Sequence, residues 1–384
     1  MRVVLWGTYD IGKPRTRILS DGLRRSGIEL IECHADVWSR VEDKSHVTSW
    51  WHRGLLMLRW LTSYPGLVWR YLRLPAHDAV VVGYPGQLDV LVIWPFARIR
   101  RAALILDLVQ SLYATVVDIR GMVGPRHPLA RSLFALEWLA FRAADRVVFL
   151  SRYGALQFGE RFGLRSEKTA SVMIGVEAGL FPARAASTAP RQGPFTVLFY
   201  GSFHRLHGVD TIVEAAYLAN DLDIDWVLIG SGQEERLIRE RLAARPASRL
   251  RWIPWVEYRD LVNWLHRSDV ALGLMGRENQ TGWVIPNKVF QILAAGVPLI
   301  SADTPAIREL TGDMRPGIEL VPAGNATALL EAVNAMRSQR RELAVPGLHA
   351  GLQKRFDPET LGRQFVDVIR GAVGQHGQGG GTPC

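Results

Sequence analysis

The residues best placed to do chemistry in this 384-residue chain are Asn287 and Lys288, in the run VIPNKVFQILAAGVP at 284–298. Asn287 can cap a helix, and the Gly-Val-Pro that ends the run can terminate it. Apolar runs at 269–274 and 299–301 predict strands on either side. Loops of this kind lie at the carboxyl edge of a parallel sheet, where ligands bind and a helix N-terminus attracts anions. We therefore predict that Lys288 contacts a phosphate. The alternative is a solvated lysine at the start of a helix.

The rarity of lysine favours the first interpretation. The chain has 5 lysines among 46 basic residues, and the other 41 are arginines. A lysine in this turn is therefore less expected by chance than an arginine. A compact ammonium group fits a single phosphate oxygen in a tight turn, where the guanidinium fork of arginine is bulkier.

A second loop suited to an anion follows the apolar run 2–6, which predicts a first buried strand. The loop 7–17 contains Gly7 and the cations Lys13 and Arg15, and its Pro14 can begin a helix that runs to about residue 26. The loop lacks the G-x-G-x-x-G pattern of dinucleotide-binding turns. Ligand contact and a solvated basic turn both remain open for it.

Further candidates follow two predicted strands, 78–83 and 102–106. The first is followed by Tyr84-Pro85-Gly86-Gln87, and the second ends at Asp107, before Ser111-Leu112-Tyr113. A carboxylate just past a buried strand is a candidate site group in a cleft. The alternatives for Asp107 are a helix cap or a salt bridge.

Composition limits the function classes. The chain is 48% hydrophobic, and its length predicts two domains. The net charge of +9 favours anionic partners such as sugar nucleotides or phospholipid surfaces, and no nucleic-acid-binding motif accompanies it. Two distant cysteines, Cys33 and Cys384, argue against a disulfide framework, and no Cys/His cluster has zinc-site spacing. The N-terminal apolar run is too short for a secretion signal, so we expect a cytoplasmic protein.

The segment 44–77 contains no acidic residue and many tryptophans, leucines and arginines. Pro65-Gly66 predicts that it forms two helical pieces, neither long enough to span a bilayer. It can lie in a membrane interface, with Trp50, Trp51 and Trp60 in contact with lipid at the inner face of the membrane. The alternative is a helical hairpin that covers the first sheet.

The alternation of apolar strands and amphipathic helices predicts an α/β protein with two Rossmann-like, doubly wound domains that face a shared cleft. Clear elements include a helix at 128–143, a helix capped by Ser151, and a strand at 195–200. The predicted organisation is a first domain at 1–182, a linker at 183–193, a second domain at 194–345, a C-terminal helix within 346–372 that returns to the first domain, and a disordered tail at 373–384. The helix is expected over 358–369, before the glycine-rich sequence that begins at Gly371.

Several motifs of the second domain occur together. They are GSF at 201–203, HGVD at 207–210, LIGSG at 228–232, VIPNKV at 284–289, AAGVP at 294–298 and TPAIREL at 304–310. In this combination the chain resembles the family-four glycosyltransferases of the GT-B fold, and in particular a subgroup with a VIPNKV motif. The resemblance is strong over 195–335 and looser in the first domain.

The resemblance implies transfer of a sugar from a nucleotide diphosphate donor to an acceptor hydroxyl, normally with retention and without a bound metal or other cofactor. Carried over by position, Lys288 and Arg205 face the diphosphate and Asp107 lies on the acceptor side, and these three are the candidate catalytic residues. The other candidates on the donor side are Gly7, Gly201, Ser202, Phe203, Gly230, Gly232, Val256, Asn287 and Gln291. Those on the acceptor side are Tyr9, Lys13, Arg15, Tyr84 and Tyr113. Fixed cations and helix N-terminal amides would stabilise the charge that develops on the leaving diphosphate.

The sequence departs from the family pattern in two places. Of the two glutamates that many members carry eight positions apart, the second is replaced by Gln291 and the first by Trp283, and His207 stands where many relatives have a lysine. Two alternatives therefore stay open: a catalytically silent protein that binds a sugar nucleotide or a partner transferase, and a nucleotide-sugar epimerase. The acceptor is either lipid-linked or a polysaccharide, or a soluble metabolite such as an antibiotic aglycone. The arginine-rich composition points to a GC-rich bacterium, in which both antibiotic and cell-surface glycan pathways occur.

Overall fold

The computed structural model describes residues 1–38, 50–177, 179–185, 192–277, 282–312 and 316–378, without the side chains of 50–53 and 376–378. The chain forms two compact units, Met1–Gly175 with Pro358–Cys384, and Val176–Asp357. The first boundary thus lies ahead of the predicted linker at 183–193, of which 186–191 is outside the described residues. Each unit has its own six-stranded parallel sheet.

The sheet of the first unit has the order β2-β1-β3-β4-β5-β6. Its strands are β1 (Arg2–Gly7), β2 (Glu29–His34), β3 (Ala79–Val82), β4 (Ala103–Asp107), β5 (Arg146–Phe149) and β6 (Thr169–Ser171). The intervening helices are α1 (Pro14–Arg25), α2 (Trp50–Leu72), α3 (Gln87–Ile99), α4 (Pro128–Ala143) and α5 (Arg152–Phe162), and a π-helical turn covers Ala114–Ile119. Strands β3 and β4 are buried throughout because helices cover both faces of a parallel sheet.

The order of these strands reverses between β1 and β3. From β1 the chain moves outward to β2 and then returns to the other side of β1 as β3. Loops on either side of such a switch point diverge, which leaves a crevice at the carboxyl edge of the sheet. The segments that begin at Gly7 and at Tyr84, both singled out from the sequence, flank this point.

The sheet of the second unit has the order β12-β11-β10-β7-β8-β9. Its strands are β7 (Phe195–Tyr200), β8 (Ile224–Ile229), β9 (Leu250–Ile253), β10 (Val270–Leu272), β11 (Leu299–Ala302) and β12 (Ile318–Val321). Its helices are α6 (Val209–Leu218), α7 (Glu235–Ala244), α8 (Leu261–Arg267), α9 (Asn287–Ala294), α10 (Pro305–Thr311), α11 (Ala326–Ser338) and α12 (Ala350–Gln353). Here the switch point lies between β7 and β10, so the loops that follow these two strands flank the crevice.

The predicted break at Pro65-Gly66 is wrong, because α2 continues through Pro65 as one helix. A proline inside a helix removes one backbone hydrogen bond and usually bends or ends the helix. Here Tyr64, Leu67 and Tyr71 are all buried against the unit on both sides of the proline. This tertiary packing outweighs the lost hydrogen bond. In the described part of the chain no helix is long and apolar enough to cross a membrane.

The last helix, α13 (Pro358–Gln378), is longer than predicted and belongs to the first unit. The expected helix end near residue 369 and the predicted disordered tail at 373–384 are therefore wrong as far as Gln378, and 379–384 lie outside the described residues. The helix crosses α1 closely: a Cβ at Gly362 would lie 2.1 Å from the carbonyl oxygen of Gly22. Ile369 and Ala372 are buried, so core packing extends the helix into the glycine-rich sequence.

Candidate functional site

The loops after β7 and β10 are packed directly against each other. A Cβ at Gly276 would lie 2.3 Å from the carbonyl oxygen of Arg205, and one at Gly208 would lie 2.4 Å from the carbonyl carbon of Met275. The amide of Met275 also donates to the carbonyl oxygen of His207 at 3.2 Å. Only glycine permits this approach on both sides. The contact holds the 3₁₀ turn Arg205–His207 beside the loop that leads into α9.

Lys288 reaches back from the first turn of α9 to the end of β7. Its side chain is 5% exposed, and its Nζ atom has no hydrogen-bond partner among the described residues. The Nζ atom lies 3.8 Å from the centroid of the Phe199 ring, and a Cβ at Gly201 would lie 3.0 Å from it. Burial lowers the pKa of the Lys288 ammonium well below its ordinary value. A buried cation without a counter-charge is costly, which is the arrangement expected where an anionic ligand supplies the missing charge.

His207 lies on the same side of Gly201 as Lys288, since a Cβ at Gly201 would be 3.5 Å from its Cε1 atom. Its Nδ1 atom is hydrogen bonded to the carbonyl oxygen of Ser202. A carbonyl oxygen only accepts, so Nδ1 carries the proton and Nε2 of the neutral ring is an acceptor. Burial and the nearby Lys288 lower the pKa of His207 well below its ordinary value. The bond to Ser202 thus fixes the orientation of the His207 ring beside Lys288.

The N-terminus of α9 lacks the predicted cap. Asn287 is the first residue of the helix, Pro286 precedes it, and no side chain caps the first turn. The Oδ1 atom of Asn287 is buried without a hydrogen-bond partner in the described part of the chain. The prediction that Asn287 caps the helix is wrong because Pro286, with its fixed φ, already supplies the extended residue before the helix. The amide of Val289 donates to the carbonyl oxygen of Pro286 at 3.0 Å, so the amides of Asn287 and Lys288 are the first-turn donors that remain for an anion.

Gly230 and Gly232 bring the loop after β8 against the loop after β7. Their φ angles are +136° and +152°, and a Cβ at Gly230 would lie 2.1 Å from the carbonyl oxygen of Gly201. The amide of Phe203 donates to the carbonyl oxygen of Ser231 at 2.8 Å. The Phe203 side chain is buried and stacks on Trp252, with ring centroids 5.4 Å apart. Phe203 therefore anchors its loop in the core, while Ser202 beside it is exposed.

Gln291 is held inside the unit by two tyrosines. Its Oε1 accepts from the hydroxyl of Tyr200 at 2.9 Å, and its Nε2 donates to the hydroxyl oxygen of Tyr258 at 2.9 Å. Tyr258 in turn donates to Glu177 at 2.5 Å. The carboxamide is thus engaged at both atoms, and the residue predicted to bind a ribose serves here to fix α9 against β7. Arg205 is exposed and forms no ion pair with a described carboxylate, and Val256 is partly exposed.

In the first unit, Gly7 makes room for a buried carboxylate that the sequence analysis missed. A Cβ at Gly7 would lie 2.2 Å from Oδ2 of Asp89. Asp89 accepts from the amide of Thr8 at 2.6 Å and from the hydroxyl of Tyr64 at 2.5 Å. Burial raises its pKa to about 6. The signal was available, because Asp89 shares the apolar spacing of Ile93 and Ala97 on α3, and a carboxylate on a buried face needs partners.

Arg15 and Asp107, both predicted on the acceptor side, bind each other. Two guanidinium nitrogens donate to the two carboxylate oxygens at 2.8 and 2.9 Å, and both side chains are 2% exposed. The third nitrogen, Nη1, donates to the carbonyl oxygen of Met173 at 2.5 Å. Of the interpretations considered for Asp107, the salt bridge is the one observed. This pair ties α1 to the ends of β4 and β6.

The remaining acceptor-side candidates differ in accessibility. Tyr9 is buried, and its hydroxyl lies 3.3 Å from Glu32. Tyr113 is nearly buried against Phe134, whereas Tyr84 is partly exposed and Lys13 is exposed. The loop that carries Tyr113 is held by Glu137, a second buried carboxylate missed from the sequence.

Glu137 fixes the start of the Ser111-Leu112-Tyr113 segment. It accepts from the hydroxyl of Ser111 at 2.7 Å and the amide of Leu112 at 2.6 Å, and the Nε2 of Gln87 donates to it at 3.0 Å. Burial raises its pKa. Glu137 therefore links the loops after β3 and β4. Over the described residues, no group of three or more His, Cys, Asp or Glu side chains is arranged to hold a metal ion.

The structure thus gathers the predicted residues into two groups. In the second unit, Lys288, Asn287 and Gly201 meet at the switch point, with Arg205 on the adjoining turn and Gly230 packed behind. In the first unit, the loops after β1, β3 and β4 meet at the other switch point. The first group holds a buried lysine, whose Nζ has no hydrogen-bond partner among the described residues, beside an uncapped helix N-terminus. This arrangement is suited to binding an anion.

The lowered pKa of Lys288 predicts proton uptake when an anion binds. A bound diphosphate stabilises the ammonium and raises its pKa, so the complex holds more protons than the free protein at pH values between the two pKa values. Affinity for a nucleoside diphosphate should therefore fall as the pH rises through this window. Calorimetric titration of UDP in buffers of different ionisation enthalpy measures the uptake. An observed heat that does not change between buffers would contradict the prediction.

Comparisons with known proteins give a family match within the second unit and several solved structures of similar fold. Residues 194–339 match the family model described as glycosyl transferases group 1. No curated protein matches the chain by sequence. Three solved structures illustrate the similarity in fold. Anabaena Alr3699/HepE in complex with UDP has a TM-score of 0.68 at 16% identity, and the match covers 96% of this chain and 99% of that one.

The second structure, sucrose-phosphate synthase from Thermosynechococcus elongatus, has a TM-score of 0.71 at 16% identity and coverage of 96% and 98%. The third, a glycosyltransferase from Rickettsia africae, has a TM-score of 0.62 at 12% identity and coverage of 97% and 98%. At these identities the likeness concerns the fold. The predicted two-domain α/β fold of the GT-B class is confirmed, and the part of the chain that carries Lys288 matches the glycosyl transferases group 1.

Proposed function

We propose that this protein is a glycosyltransferase that moves a sugar from a nucleoside diphosphate donor to an acceptor hydroxyl. The observation that carries the proposal is the buried Lys288 ammonium, which has no counter-charge in the described structure and lies at the uncapped N-terminus of α9. The family match over 194–339 and the UDP and UDP-glucose complexes of the Anabaena structure support it.

The chemistry follows from where charge develops. Cleavage of the bond between the sugar and the diphosphate leaves negative charge on the leaving phosphate oxygens. Lys288 and the first-turn amides of α9 stabilise that charge, and exposed Arg205 adds a second cation at the rim. Gly201 admits the phosphate close to the backbone, where a side chain would collide with Lys288. We propose that the site needs no resident metal, because its cations can take the role that a metal would fill. We also propose retention of the anomeric configuration, which the resemblance to the family-four glycosyltransferases implies.

A donor panel tests the proposal. Purified protein is incubated with UDP-, GDP-, ADP- and dTDP-sugars, and release of free sugar or nucleoside diphosphate is followed with and without candidate acceptor glycans. We expect one donor class to be turned over. Lys288→Met should lower this turnover. Lys354→Met serves as its matched control, since Lys354 is an exposed lysine of the same unit. Absence of turnover with every donor would reject the transferase.

A catalytically silent donor-binding protein is the second candidate. It is favoured by two observations: Asp107 is locked to Arg15, and Gln291 is engaged at both atoms of its carboxamide. Tight binding of a nucleoside diphosphate without turnover would support this candidate over the transferase. An epimerase would instead interconvert donor sugars when no acceptor is present, which the same panel detects. A bacterial glycan or antibiotic pathway, with a lipid-linked or soluble acceptor, is the setting we propose.

A further inference from the structure

Helix α2 presents an apolar stripe to solvent that runs along its length. Its inward face is formed by Tyr64, Leu67 and Tyr71, which are buried. The apolar side chains on the adjoining, outward part of the helix are 46% to 66% exposed, and they are Leu55, Met57, Leu58, Leu61, Trp69 and Leu72. At 100° per residue, all but Leu55 lie within one third of the helix circumference. Such a continuous exposed stripe marks an interaction surface rather than scattered surface residues.

One edge of this stripe is basic. Arg59, Arg70 and Arg73 follow the same side of the helix, next to the apolar residues. Arg59 and Arg70 donate to the backbone carbonyl oxygens of Asp36 and His34, and none of the three forms a salt bridge with a described carboxylate. Arg73 lies over the ring of Trp69 at 3.5 Å. The segment 44–77 contains no acidic residue, so the positive charge of this edge is not balanced within it.

The neighbouring helices continue the pattern. On α3, which packs beside α2, Trp94 and Ile99 are 43% and 75% exposed. On α4, Trp138 is 39% exposed, and Arg142 lies 3.7 Å from its ring. Tryptophans that are partly exposed beside arginines are typical of groups that sit at the boundary between lipid and water. The surface thus extends over one helical layer of the first unit.

We infer that this helical layer, led by α2, docks on an anionic phospholipid bilayer. The apolar stripe enters the headgroup region, and the arginine edge contacts lipid phosphates. Charge complementarity favours a bilayer over a second copy of the chain, because two such basic edges would repel each other. The inference rests on this surface alone, so its failure would leave the proposed sugar transfer untouched.

The structure also corrects which tryptophans face lipid. Trp60 lies on the inner side of α2, where its Nε1 donates to the hydroxyl oxygen of Thr8 at 2.8 Å. Trp60 is therefore a structural residue, and its replacement would perturb the fold rather than the surface. The side chains of Trp50 and Trp51 lie outside the described residues. Leu58, Leu61 and Trp69 are the residues to test.

Vesicle cosedimentation provides the test. Wild-type protein is expected to bind vesicles of phosphatidylcholine with phosphatidylglycerol and to bind pure phosphatidylcholine weakly. The variant Leu58→Ser/Leu61→Ser/Trp69→Ser should bind at least about tenfold more weakly, because less apolar surface is transferred into the membrane. Arg59→Gln/Arg70→Gln/Arg73→Gln should lose about fivefold per arginine, and added salt should reduce the difference.

Controls separate this surface from others. Leu237→Ser/Trp255→Ser alters two exposed apolar residues of the second unit and should bind vesicles like the wild type. Circular dichroism verifies that each variant is folded. Wild-type protein that does not sediment with anionic vesicles, or stripe variants that bind equally well, would overturn the inference. A vesicle-free dimer that the stripe substitutions convert to monomer would also overturn it, since a second copy would then occupy this face.

Discussion

Lys288→Met is expected to lower kcat/KM for sugar transfer by about 10² to 10³-fold, the usual cost of removing one group that stabilises a developing oxyanion. The remaining stabilisation would come from the first-turn amides of α9 and from Arg205. Methionine keeps the length of the aliphatic stem over Phe199, so the packing survives. Because the substitution removes a buried ammonium that has no counter-charge in the described structure, stability should be unchanged or higher. Steady-state kinetics and thermal unfolding of the same preparation measure both effects.

Two further variants test whether the effect is specific to a lysine at position 288. Lys288→Arg should be about as inactive as Lys288→Met. The Nζ atom of Lys288 lies so close to Gly201 that a Cβ there would be only 3.0 Å from it, and the larger guanidinium lacks room. Lys354→Met should behave like the wild type. A Lys288→Met enzyme that is folded and fully active would remove Lys288 from the mechanism.

Asp107→Asn is expected to destabilise the first unit by about 3–5 kcal/mol, since it leaves the Arg15 guanidinium buried without its partner. The free energy of unfolding by urea measures this loss. If Asp107 were instead an acceptor-side catalytic group, the same substitution would lower kcat and leave stability nearly unchanged. The two roles therefore give opposite patterns.

Two matched variants test whether the lost stability comes from leaving a buried charge without its partner. Glu29→Gln breaks the exposed ion pair with Arg2 and should cost less than about 1 kcal/mol. Arg15→Met/Asp107→Leu replaces the buried pair with apolar side chains and should recover most of the stability lost in Asp107→Asn. Asp107→Asn protein as stable as the wild type would contradict the structural role.

Elements with strong local signals were predicted well. Helix α4 has the predicted bounds, and Ser151 caps α5 by accepting from the amide of Gly154. The strands and the helix around Lys288 are also confirmed, and Pro286 and Gly296 mark the two ends of α9. In these cases the residues that decide the structure are close together in sequence.

Other features depend on contacts that are distant in sequence. The partner of Asp107 is Arg15, 92 residues away, so sequence alone left the salt bridge as one alternative among several. The continuous α2 depends on burial around Pro65, and the length of α13 depends on its packing against α1. The buried Asp89 lies on α3, a helix that the sequence did not predict, and the predicted helix at 128–143 gave no sign that Glu137 faces inward, because its partners Ser111 and Gln87 are distant in sequence.

Calorimetric titration of the Lys288→Met variant tests the central claim most directly, with the wild-type protein as reference. A panel of nucleoside diphosphates first identifies the tightest ligand, and its affinity is then compared with that of the corresponding nucleoside. We predict that the wild type prefers the diphosphate by at least about 10²-fold and that Lys288→Met loses most of this preference. Undiminished affinity of the folded variant for every diphosphate would contradict the account.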